Sequence, residues 1–130
     1  MRMRIAHHTM NLDGMVTFYV DLLGLRLKSV FKSETGYEGV IFCDDSDTWE
    51  IEFTTSEDLP KCCSDEDDLI ILYFDSMAVY NSTIERVSQL RHLEFAPRNP
   101  YWEERGRLFK DPDGNRVVIV KPVLNEEDGQ

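Results

Sequence analysis

Asn99–Val120, NPYWEERGRLFKDPDGNRVVIV, is the stretch that decides the fold. Its run of turn formers, Asp111-Pro112-Asp113-Gly114-Asn115, lies between two short apolar segments, Leu108–Phe109 and Val117–Val120. That arrangement predicts a tight hairpin joining paired strands.

Working back toward the N-terminus, Leu69–Phe74 is apolar on both faces and reads as a buried strand. Ser76 can then cap a helix with Tyr80, Ile84, Val87 and Leu90 along one side. Strands at His92–Phe95, Gly106–Phe109 and Asn115–Lys121 complete that half. The first half has the same order. A strand within Arg4–Met10 leads to a helix capped by Asp13, with Leu12, Met15, Tyr19, Leu22 and Leu23 at helical spacing and Gly24 as its stop. Strand-like runs at Leu25–Phe31, Tyr37–Cys43 and Thr48–Thr54 follow. The halves share a pattern of elements and little residue identity, which describes a duplicated unit.

The chain is α+β: two βαβββ modules whose curved mixed sheets pair round a shared cavity, with helices on the outer faces. Module one spans about 1–55 and module two about 69–122, within a single domain of 130 residues. An acidic linker at 56–68 joins them, and 123–130 form a frayed acidic tail.

Composition narrows the function. A formal net charge of -11, from 25 acidic and 14 basic residues, repels a phosphate backbone, so nucleic acid is not an expected partner. No apolar run is long enough to span a membrane, and MRMRIAHH lacks the apolar centre of a secretory signal, which predicts a cytoplasmic protein. Cys43, Cys62 and Cys63 make an odd set with two sequence neighbours, a poor disulfide framework. A phosphate-binding glycine loop, a nucleophile elbow and a hydrolytic triad are all missing from the sequence.

FYVDLLGL at Phe18–Leu25, followed at this spacing by DPDG before a final strand, resembles the vicinal oxygen chelate superfamily, which includes glyoxalase I, extradiol dioxygenases, fosfomycin-modifying enzymes and bleomycin-binding proteins. The added NPYW resembles one subgroup of small members. The resemblance covers most of the chain and implies the same paired βαβββ architecture and a homodimer. It also implies a metal-ligating histidine in the first strand, at His7 or His8, and a metal-ligating carboxylate at the position of Glu52. Departures from the family pattern lie in the second half. Leu69 stands where a further ligand would open module two, and Val118 stands where a glutamate would follow DPDGN; neither can bind a metal.

Without the resemblance, two alternating glutamates on a strand read as a solvated face; the resemblance makes them candidates for a site. Strand alternation puts Trp49, Ile51 and Phe53 on the helix side, and points Glu50 and Glu52 either to solvent or into the hollow. His7 and His8 face opposite ways, so one of them enters it. Two protein ligands are too few for a tight catalytic metal, so no cofactor is expected; a divalent ion, if bound, would use His8 or His7 with Glu52. His92 or Glu94 could substitute as ligands. Pro97 and Pro100 stiffen a loop presenting Asn99, Tyr101 and Trp102 to an apolar or aromatic guest. Arg105, Arg107 and Arg116 are expected to pair with Glu103, Glu104 or Asp111. The expectation is a protein that binds a small organic ligand with His8, Glu52, Asn99, Tyr101 and Trp102, Glu52 serving as general base if one is needed. The alternative is a divalent-metal lyase, isomerase or dioxygenase using His8 or His7 and Glu52.

Overall fold

A computed structural model describes residues 1–61 and 65–123. Cys62, Cys63 and most of the acidic tail lie outside the described residues. The chain divides into two compact units, Met1–Cys63 and Ser64–Gln130.

The first unit runs β1 (Met3–His8), α1 (Leu12–Val16) with a wider π-type continuation (Thr17–Leu22), β2 (Arg26–Lys32), β3 (Glu38–Cys43) and β4 (Trp49–Thr55). Its sheet has the order β1-β4-β3-β2, with β1 parallel to β4 and the other pairs antiparallel. Asn11 caps α1, its Oδ1 accepting from Gly14 N at 2.9 Å, two residues ahead of the expected Asp13. Asp13 sits instead in the first turn, where its charge suits the helix dipole. Gly24 stops the helical run at φ 82°, a conformation that favours glycine.

The π-type turns carry Phe18 and Tyr19 onto the sheet. The Tyr19 ring stacks on Phe42 and Phe53 with centroids 5.5 and 5.2 Å apart, and Met15, Leu23 and Ile51 fill the space around them. Burying so many large apolar groups stabilises the unit by roughly 1.5–3 kcal/mol per side chain. One sheet face is thereby committed to this core, and the other carries Glu50, Glu52 and Thr54 beside the buried Ile41 and Cys43.

The second unit repeats the plan: β5 (Leu69–Tyr73), α2 (Met77–Ser88), a 3₁₀ turn (Arg91–Leu93), β6 (Glu94–Phe95), α3 (Pro100–Arg105), β7 (Gly106–Lys110) and β8 (Arg116–Val120). The order β5-β8-β7-β6, with β5 parallel to β8, matches that of the first sheet. Ser76 caps α2 as expected, accepting from Val79 N at 3.2 Å. The helix buries Val87, half-buries Tyr80 and Ile84, and leaves Leu90 exposed. Thr83 joins the buried side because its hydroxyl donates to the Val79 carbonyl at 2.9 Å, so no polar group is left unpaired there.

Two readings of the sequence change. Leu69–Tyr73 is an edge strand, half-buried along most of its length, and not a strand enclosed on both faces. NPYWEER is not a loop: Asn99 is the N-cap of α3, its Oδ1 accepting from Tyr101 N at 2.9 Å, and Pro100 takes the first turn, where a missing N–H costs nothing.

The DPDGN hairpin forms as read. Asp111, buried at its base, accepts from the backbone N–H groups of Asp113 and Asn115 and from the Asn115 amide at 2.8–2.9 Å, while Gly114 takes φ 85°.

Candidate functional site

Register places the first unit's chemistry on the sheet face opposite α1. Arg4, Ala6 and His8 of β1 pair with Glu50, Glu52 and Thr54 of β4, and paired residues project to the same side. His7, one residue out of phase, stacks on the core residue Phe53 with ring centroids 5.9 Å apart. His8 therefore shares a face with Glu52, and its Nε2 lies 3.2 Å from Ser56 Oγ.

Glu50 is the residue that strand alternation does not explain. Its side chain points neither to solvent nor into a hollow; it has no solvent exposure and is enclosed by cations. Arg4 Nε donates to Oε1 at 2.7 Å, Lys28 Nζ donates to Oε2, and Arg2 Nε stands 3.8 Å away. Lys28 arrives because β2 bulges: Leu27 pairs with Phe42 and Ser29 with Ile41, so Lys28 is the extra residue between them. The bulge aims its ammonium across β3 at a carboxylate on β4. Hydrogen bonds from Lys28 and then Arg4 outweigh the desolvation of Glu50 and hold its carboxyl down at about 2. Lys28 is raised in turn, through Glu50 and through Asp47, whose Oδ1 is 2.9 Å from Nζ.

Glu52 is less enclosed. Arg4 Nη1 donates to its Oε1 at 3.2 Å and Thr54 Oγ1 to its Oε2 at 2.7 Å. One guanidinium thus bridges two alternate carboxylates. Glu52, His8, Thr54 and Ser56 line a concavity of about 670 Å³ together with Ala6, His7, Phe31, Tyr37, Asp58, Leu59 and Lys61, so both histidines border it, and not one alone as strand alternation suggested.

In the second unit Trp102 is buried among Leu108, Val118 and Val120, with Leu69 and Ile71 packed against it. Its outer edge joins Leu69, Ile71, Asp67, Arg98, Asn99 and Pro100 round a concavity of about 510 Å³. Tyr101 stands outside that lining, its ring under Arg105 at 3.8 Å and edge-on to Trp102. Trp102 is anchored by core packing, and Asn99 spends its side-chain oxygen on the helix cap.

The expected partners of Arg105 and Arg107 change as well. Arg107 forms a two-pronged pair with Glu94, both contacts 2.9 Å, which removes Glu94 from the set of possible metal ligands. Arg105 donates to the Tyr101 carbonyl, and Arg116 donates to the Asp65 carbonyl. His92 lies exposed on the 3₁₀ turn.

This donor set does not fit a divalent ion. In the first unit the Glu52 carboxylate already carries a guanidinium; in the second, Leu69 and Val118 lie in an apolar cluster and offer no donor. Among the described residues, no three His, Cys, Asp or Glu side chains are gathered to hold a metal. Nor is any described helix long and apolar enough to cross a membrane.

Sequence and structure comparisons agree with the geometry. The family models of the YycE-like N-terminal domain and the YycE-like C-terminal domain match residues 3–54 and 67–121. Uncharacterized protein YycE of Bacillus subtilis (strain 168) is 32% identical over 122 residues, covering 92% of this chain and 86% of the relative. The crystal structure of the Bacillus subtilis YycE protein, of unknown function, superposes with a TM-score of 0.77 at 32% identity, covering 92% of this chain and 88% of the other. Two more distant structures share the fold. TnmS3, an antibiotic binding protein from Streptomyces sp. CB03234, has a TM-score of 0.63 at 18% identity, over 95% of this chain and 96% of its own. The E126Q mutant of the fosfomycin resistance protein FosX from Listeria monocytogenes, complexed with Mn(II) and a dihydroxypropylphosphonic acid, has a TM-score of 0.63 at 15% identity, over 93% of this chain and 91% of its own. With both halves matched in order, a relative at 32% identity along nearly the whole chain and two βαβββ units, the chain belongs to the YycE-like family within the vicinal oxygen chelate superfamily.

Proposed function

We propose that this protein binds a small, mainly apolar or aromatic organic molecule without a resident metal, and sequesters or senses it in the cytoplasm as a homodimer. The observation that carries the reading is the state of Glu52: the carboxylate at the family's ligand position is held by Arg4 and Thr54, beside a cavity walled by Phe31 and Tyr37. Aromatic walls supply contact area at small entropic cost, and His8, Thr54 and Ser56 can orient a polar group on the guest. Asn99 and Trp102 border a second apolar surface in the other unit, with Tyr101 and Arg105 bracing Trp102 from outside. A fold relative that binds an antibiotic lends this reading support. Any proton transfer would fall to Glu52, since a carboxylate has about four lone-pair sites and only two are used here.

A metal-dependent lyase, isomerase or dioxygenase is the second reading, favoured by His8 and Glu52 lining one cavity and by a fold relative that holds Mn(II). Elemental mass spectrometry on protein purified without chelators, beside Glu52→Gln, separates the two. Metal-free protein that gains thermal stability with aromatic ligands supports binding without metal; near-stoichiometric metal lost in Glu52→Gln establishes the second reading.

A further inference from the structure

We propose that Arg4 is the residue that decides against a metal in this cavity, its guanidinium taking the place of a divalent ion among the sheet-face carboxylates. The proposal rests on the metal-free reading above and names the device behind it. Arg4 Nε and Nη1 reach Glu50 and Glu52 at 2.7 and 3.2 Å, so a single fixed cation bridges two carboxylates as a bound ion would. The hydrogen bond to Glu50, then the charges of Glu50 and Glu52, raise Arg4 above its ordinary value against partial desolvation, and a guanidinium stays charged at every working pH.

The chemistry left after removing Arg4 differs at the two glutamates. Glu50 keeps Lys28, with Arg2 nearby. Glu52 keeps only the neutral Thr54 hydroxyl, so its carboxylate faces the cavity without a countering cation. His8 lies on the same face, a diagonal neighbour in the β1–β4 register, within the combined reach of an imidazole and a glutamate. Imidazole with carboxylate and water suits Zn²⁺ or Mn²⁺. With Arg4 present, an incoming dication meets a fixed positive charge on the same carboxylate.

The test titrates Zn²⁺ and Mn²⁺ into the full chain by isothermal calorimetry and equilibrium dialysis, comparing wild type, Arg4→Ala, Arg4→Lys and Arg4→Ala/Glu52→Gln. Arg4→Ala should bind at least one ion about ten-fold or more tightly than wild type, the effect of removing one charge a few ångströms away. Arg4→Lys should restore exclusion, and the double variant should lose the gain. Arg4→Gln, which keeps a hydrogen-bond donor without the charge, serves if the alanine variant does not fold. A folded neutral variant with no gain, or a gain that survives Glu52→Gln, overturns the proposal and leaves the metal-free reading standing. Wild-type protein that takes up the ion through Glu52 overturns both.

Discussion

Arg4 Nε and Glu50 Oε1 are 2.7 Å apart across the β1–β4 ladder, although 46 residues separate them in sequence. Lys28 reaches the other carboxylate oxygen from β2, across β3, so a glutamate with no solvent exposure is balanced by cations from the two edge strands of its sheet. A buried ion pair of this kind contributes little against an apolar replacement, but breaking it strands a charge.

Acid stability follows from the depressed carboxyl. Glu50 sits at about 2 in the folded chain against an ordinary 4.5, so its contribution to stability is complete above 4.5 and disappears as pH falls through 2. Urea melts from pH 7 to pH 2 should show stability falling through that window. Glu50→Gln should flatten this limb and lower stability at pH 7, where Arg4 and Lys28 would face a neutral amide.

Gly39 is the close-packing point of the cavity wall. A Cβ there would lie 2.3 Å from Phe31 Cζ and 3.1 Å from the Phe53 carbonyl, so Gly39→Ala must push the Phe31 ring aside. Thermal-shift titration with an aromatic ligand should give at least about ten-fold weaker binding in Gly39→Ala, beside a stability loss of about 1–3 kcal/mol from overpacking. Unchanged affinity would remove Phe31 from the ligand wall.

Trp102 offers a contrast, being 8% exposed and packed on Leu108, Val118 and Val120. Trp102→Ala should cost about 3–5 kcal/mol in denaturant unfolding, the usual range for emptying a large aromatic from a core. Trp102→Phe should recover most of that.

Asp111→Ala removes the acceptor for two backbone N–H groups and one side-chain amide at the last hairpin. A loss of about 1–2 kcal/mol is expected, measured by chemical denaturation, because part-buried donors lose a charged acceptor.

Local signals carried most of the fold. The DPDGN turn, the Ser76 cap and the Gly24 stop each act within a few residues, and each stands where the sequence puts it. Fold class followed because the same short-range pattern occurs twice. Helix α3 was missed because Pro97 and Pro100 suggested a rigid loop, yet Asn99-Pro100 is also a cap followed by a first-turn proline, a signal that was present. Alternation put Glu50 and Glu52 on one face but could not show that a bulge at Lys28 and a strand 46 residues earlier would enclose only the first. His7 and His8 could be told apart only through register with β4, a long-range pairing that local periodicity does not encode.

β1 is an edge strand, paired on one side only, with all six of its residues exposed. Elements of that kind open at a lower free energy than the body of a domain. Arg4 and His8 both ride on it, so each excursion of β1 away from β4 dismantles the cation bridge while the Tyr19–Phe42–Phe53 stack stays folded. Amide exchange along β1 is then a clock for the proposed binding surface, and a guest that spans His8 and Glu52 would slow it without touching the rest of the sheet.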